Sequence, residues 1–238
     1  MDLLAEGPSP VKTLLAFAVI LLLALPAFGV TNTTVATGNL SDGTKWSQGY
    51  MPVNGEDVVF AHNITWNAGA GTRFPATGTL GAVSSTAGTL TVSVSTIGSC
   101  GIYATSIAAG TAHCITATGS TTNTFTASGA TITGGTATSI YAINGGGCVY
   151  VFIGLLTSGS GSDAHGVYIL NGTRSVTVTG NVAAGGLRFN NYSAGSLIVN
   201  GTSTGGAAGD GVFLNGTING CTLTFTGGLF GGVSSANY

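Results

Sequence analysis

The chain has 238 residues, of which only 5% are charged, and a formal net charge of −2 at pH 7. No basic stripe is available to neutralise phosphates, which excludes nucleic-acid binding as a function class. Its 44% apolar residues can bury a core, so 41 glycines do not make it a disordered chain.

Residues 14–25 form an unbroken apolar run behind Lys12, and Ala27-Phe28-Gly29 follows with small residues where a signal peptidase reads. Residues 1–29 are therefore read as a secretory signal peptide cleaved after Gly29. The run falls short of the roughly 20 residues that span a bilayer, so no membrane span is expected in the mature chain. A long leader with Asp2 and Glu6 leaves an N-terminal anchor as the alternative reading. Cleavage leaves five acids (Asp42, Glu56, Asp57, Asp163, Asp210) against Lys45, Arg73, Arg174 and Arg188. A surface built instead from Thr, Ser, Asn and Gly suits a secreted or cell-surface (or virion-surface) protein, because salt has little to screen.

Residues 30–78 are read as a lead-in strand and an N-terminal cap. Between Thr44 and Phe60 come Trp46, a Pro52 turn, an Asn54-Gly55 turn and the strand Val58-Val59-Phe60. This W-S-x-G-x-x-P-x-x-G-E-D-V-V-F arrangement resembles the N-terminal start of secreted or phage-associated β-helix proteins. The resemblance implies a cap hiding the first coil's open edge, with Trp46 as a core residue of that cap. Glu56 and Asp57 are expected in a solvated turn, since two adjacent acids do not complete the six to eight oxygens of a Ca²⁺ shell. Residues 61–110 hold one or two irregular coils, with a clear alternating strand at Thr89-Leu90-Thr91-Val92-Ser93-Val94.

From Ala112 to Gly232 one pattern returns five times, each copy with three short apolar segments closing on Gly or Asn. The first segments close at Gly119, Gly145, Gly172, Asn191 and Gly216, in steps of 26, 27, 19 and 25. The second close at Gly129, Gly154, Gly180, Gly201 and Gly227, in steps of 25, 26, 21 and 26. A period in the low to mid twenties with alternating apolar residues predicts an all-β solenoid of coils over 79–238. Its form is a right-handed parallel β-helix with three short strands per coil. The third strands are the poorest, around Ile132, Leu155-Leu156, Val182, Ser203 and Leu229-Phe230. No coil can bury its own core, so stability must come from stacking.

Asn144, Asn171, Asn191 (or Asn190) and Asn215 stand where the first strand ends and are read as a structural asparagine ladder, with independent Asn turns as the alternative. Such a ladder resembles the pectate-lyase-like β-helices. That resemblance raises polysaccharide cleavage, which needs paired carboxylates for hydrolysis. The five coils offer only Asp163 and Asp210, about two coils apart, so no catalytic residue is assigned. His113, His165 and Asp210 share a place before the first strand. Two coils put them roughly 10 Å from one another, too far to share a metal, so no metal or other cofactor is expected. Gly201-Thr202-Ser203-Thr204-Gly205 matches a nucleophile-elbow pattern without the helix it needs.

Tyr141, Tyr168, Arg188 and Phe213 occupy one outward position on successive first strands. They form either a glycan-contact strip or a stacked ladder that stabilises the coil. Cys148 and Cys221 share a strand position three coils apart, roughly 14 Å, beyond disulfide reach. They are expected as buried thiols, while Cys100 and Cys114 are close enough to bridge or to remain free.

The resulting expectation is a secreted structural or adhesive surface rod without catalytic activity. It would be of the adhesin or autotransporter-passenger type, or a phage tail-fibre or virion component. A polysaccharide-binding or polysaccharide-degrading β-helix is the alternative. Expected partners are glycans or a host or cell surface, and further copies of the chain through an open C-terminal end.

Overall fold

The structure, a computed structural model, describes residues 29–235 apart from 120–121, 145–147, 162–163, 171–174, 184, 191–192, 206–209, 216–218 and 231–232. Residues 1–28 of the expected signal peptide, Asn171, Asn191 and all the first-segment closures except Gly119 lie outside the described residues. The chain is a parallel β-helix of about seven turns with almost no helix.

Alternation of apolar and polar residues decides which side of each strand faces in. On the first sheet Ile64, Leu90, Ile115, Ile140, Val167, Leu187, Val212 and Val233 stand one above the next. The steps are 26, 25, 25, 27, 20, 25 and 21 residues. Two residues on, Trp66, Val92, Ala117, Ala142, Ile169, Phe189 and Leu214 form a second inward column. The residues of both columns from Ile64 to Leu214 are 0–5% exposed. The buried core mixes small residues such as Ala117 and Ala142 with large ones such as Phe125, Tyr150 and Phe152.

The second sheet supplies the facing column Phe74, Ile102, Ala127, Phe152, Val178, Val199 and Phe225. Three of its strands, Cys100–Ala108, Thr124–Thr133 and Val149–Thr157, bend and carry the third segment of the coil as well. The predicted third ladder is present: Ile132, Leu156, Val182, Ser203 and Leu229 are joined in that order. Later coils break it into single bridges and the short strands Ser203–Thr204 and Leu229–Phe230.

The corner between second and third segments explains the second glycine series. Gly154 and Gly180 have φ of 130° and 138°, which side-chain-bearing residues rarely adopt. A Cβ on Gly154 would overlap the Gly129 carbonyl, one on Gly180 the Gly154 carbonyl, and one on Gly201 the Gly180 carbonyl. The glycines thus stack directly on one another, and any side chain would push the coils apart.

The coils start earlier than expected. Thr31–Thr33 and Asp57–Phe60 belong to the second sheet, and Gly38–Asn39 and Ile64–Trp66 to the first. Residues 61–110 join the same two sheets but stay irregular on the second, where Arg73–Phe74 and Leu80–Ser85 both pair with Cys100–Ala108. Around the first coil, Ser47 donates its N–H to the Thr33 carbonyl and Val35 to that of Lys45, in an antiparallel run that covers the edge of Thr31–Thr33. Trp46 is 2% exposed, donates its indole N–H to the Leu40 carbonyl at 3.0 Å and lies 6.1 Å from the Phe60 ring.

Glu56 corrects the solvated-turn expectation, being 6% exposed. Its carboxylate accepts from the Tyr50 hydroxyl at 2.7 Å, the Val53 N–H at 3.0 Å and the Asn32 amide at 3.5 Å. It ties the 50–56 loop to a buried Asn32 on the first coil. Asp57 instead accepts from the Ala82 N–H at 2.7 Å, one coil up.

Candidate functional site

The outward column of the first sheet reads Thr65, Thr91, Thr116, Tyr141, Tyr168, Arg188, Phe213 and Ser234. The four predicted strip residues are therefore consecutive rungs, each half-buried. Parallel pairing holds neighbouring rungs about 4.8 Å apart, close enough for rings to meet. Tyr141 and Tyr168 pack edge to face with centroids 5.2 Å apart. The Arg188 guanidinium lies 5.2 Å from the ring centroids of both Tyr168 and Phe213, a cation–π sandwich along the rod axis.

Two histidines widen this strip, which the alternation pattern does not reveal. His113 stacks on Tyr141 at 4.8 Å with planes 11° apart, and His165 meets Tyr168 edge-on at 6.0 Å. Each points Nδ1 at a carbonyl of the next coil, His113 at Thr138 (3.1 Å) and His165 at Gly185 (2.8 Å). A carbonyl only accepts, so Nδ1 carries the proton in both rings. That leaves Nε2 of neutral His165 as the acceptor for Arg188 Nη1 at 3.4 Å. A legible signal existed: His165 is three residues before Tyr168, and His113 three before Thr116 on the same column.

Of the expected asparagine ladder, Asn144, Asn190 and Asn215 are described, while Asn171 and Asn191 lie outside the described residues. Asn215 pairs with Asn190, whereas Asn144 pairs with Gly119, one position further along the strand. Asn190 gives its amide N–H to the Tyr168 hydroxyl at 3.0 Å, so it serves the aromatic strip. Burial, together with neighbouring Tyr168, pushes the Tyr141 phenol above its ordinary pKa.

The remaining chemistry-bearing residues stand apart from the strip. Ser203 is fully buried in the third ladder, where no substrate reaches a nucleophile. Glu56 is engaged at the first coil, and Asp210 lies beside Gly185, whose N–H donates to the Asp210 carbonyl at 2.6 Å. Among the described residues no group of three or more His, Cys, Asp or Glu is placed to hold a metal ion. Cys100, Cys114 and Cys148 are free thiols, each buried. Val149, Ser175, Ser196 and Thr222 are register partners in succession, so the residues before the first and last, Cys148 and Cys221, are three coils apart as expected. No helix among the described residues is long and apolar enough to cross a membrane.

Comparison with protein-family models, with curated proteins and with solved structures finds no match to this chain.

Proposed function

We propose that the chain is a secreted surface rod with a structural or adhesive role, of the kind found in adhesin passengers or phage fibres, and that it has no catalytic activity. The observation that carries this reading is the unbroken parallel pairing from Thr31 to Ser235 beneath a nearly uncharged exterior. The fold invests its residues in a stiff stack, and the carboxylates that polysaccharide cleavage would use are dispersed along it. Extracellular Thr- and Ser-rich surfaces keep such a rod soluble across changes of salt. Surface immunolabelling of intact producing cells or virions tests this, with electron microscopy of the released protein. Labelled rods on the exterior are the expected result. Protein confined to the cell interior, or release of sugars from polysaccharides by the purified chain, would overturn it.

The adhesive role has a specific locus in the strip from Tyr141 to Phe213. Its half-buried rings follow one another at the sheet spacing and offer stacking surface to sugar rings, with Arg188 between them. Glycan-array binding that is lost in Tyr168→Ala and kept in Thr91→Ala, lower on the same column, is expected. Binding that survives Tyr168→Ala would leave the rings with the ladder-stabilising role alone.

A further inference from the structure

The outward face of the second sheet differs in kind from the aromatic strip. Its central row is Thr126, Val151, Thr177, Ile198 and Thr224, each paired with the next. The flanking rows are Thr124, Val149, Ser175, Ser196 and Thr222, and Ser128, Ile153, Thr179 and Asn200. Every central side chain is β-branched, and no row contains a charge or an aromatic ring. The register runs without a slip from Thr124 to Ser128 and across the strands above, the one shift falling beyond Ser128. Arg73, seated 3.6 Å from the Tyr103 ring, closes the lower end.

We propose that this face binds the surface of ice. Strand pairing repeats the methyl and hydroxyl groups about 4.8 Å apart in one direction, and the pleat repeats them about 6.7 Å apart in the other. Both distances are near those at which water oxygens recur in hexagonal ice, so one face meets many lattice sites at once. Three further features favour an ordered water lattice over other partners. Charged side chains would impose their own hydration shells, and none stands in these rows, which matches an uncharged surface. Sugar polymers are gripped by aromatic platforms; the stacked strip lies on the other sheet, and here Tyr103 alone stands one rung below Ser128, covered by Arg73. β-Branched side chains are stiff at χ1, so the array is already ordered before it binds and loses little entropy on docking. Sheet propensity explains why Val, Ile and Thr occur here. It does not explain why they fall in register in one central column across five successive coils.

The test uses the secreted chain with one double and two single variants. Thr126→Lys/Thr177→Lys places two cations in the central row, and Tyr168→Ala alters only the opposite strip. Freezing hysteresis and ice recrystallisation are measured, with circular dichroism melting to check that each variant folds. The parent and Tyr168→Ala should arrest crystal growth, and the folded double variant should lose that activity. A Thr177→Val variant, which keeps shape and methyls, should retain most of it and covers the case in which the lysines prevent folding. Crystal growth unaffected by the parent chain overturns the proposal. So does arrest that persists in the folded double variant, or retention on insoluble cellulose or chitin in place of ice.

Discussion

Val176→Asp puts a carboxyl into the interior of the stack. Val176 is 1% exposed and pairs with Tyr150 below and Leu197 above, both buried. Removing its apolar burial costs about 2 kcal/mol, and an interior carboxyl without a hydrogen-bond partner costs about 1–3 kcal/mol more. The sum of about 3–5 kcal/mol is a large share of the 5–15 kcal/mol that holds a typical domain together. Thr177→Asp, one residue on, points outward between Val151 and Ile198 and should cost about 1 kcal/mol or less. Acidity separates burial from simple loss of packing. A buried Asp is held neutral in the folded chain and ionises in the unfolded one, so Val176→Asp loses stability as pH rises above the ordinary Asp pKa and regains part of it in acid. Equilibrium urea denaturation at pH 4 and pH 7 measures both effects. Equal losses for the two variants, or a Val176→Asp cost independent of pH, would refute the assignment of inward and outward faces.

Glu56→Gln keeps the size of the side chain but removes the charge that accepts from Tyr50 and Val53, and should lower stability by about 1–2 kcal/mol in urea. Its effect should be matched by Tyr50→Phe combined with Glu56→Gln, because the two share one bond. The three described cysteines should resist alkylation in the native chain and react on denaturation. Burial raises the Cys100 thiol to about 11, so it binds its proton more tightly folded than unfolded. Its contribution to stability is therefore full below the ordinary thiol pKa and fades as pH rises toward 11, which melting between pH 8 and 11 will show as a falling midpoint. Mass spectrometry of secreted material should find Val30 first, the residue whose carbonyl accepts from Asp57 N–H at the start of the stack. A retained 14–25 segment on membrane-bound chain would favour the anchor.

Much of the architecture was legible in the residues because it depends on short-range patterns. Alternation along a strand has period two, so Val176 faces in and Thr177 out whatever the neighbouring coils do. The glycines from Gly129 to Gly227 recur because each corner lies against the carbonyl of the corner below, a constraint repeated once per coil. The strip from Tyr141 to Phe213 followed from the same counting. Tertiary structure decided what depends on the lengths of the loops between strands. Coil steps range from 20 to 27 residues, so counting along the chain slips by a residue. Of the two candidates for one corner, Asn190 is the one that meets Asn215, while Asn144 stands one position further along its strand. Likewise, the three-residue step from His165 to Tyr168 and the 24-residue step from Asn32 to Glu56 fit the pattern, but only the stacked structure decides that these side chains meet. Pattern determines which way each side chain points, and stacking determines what it finds there.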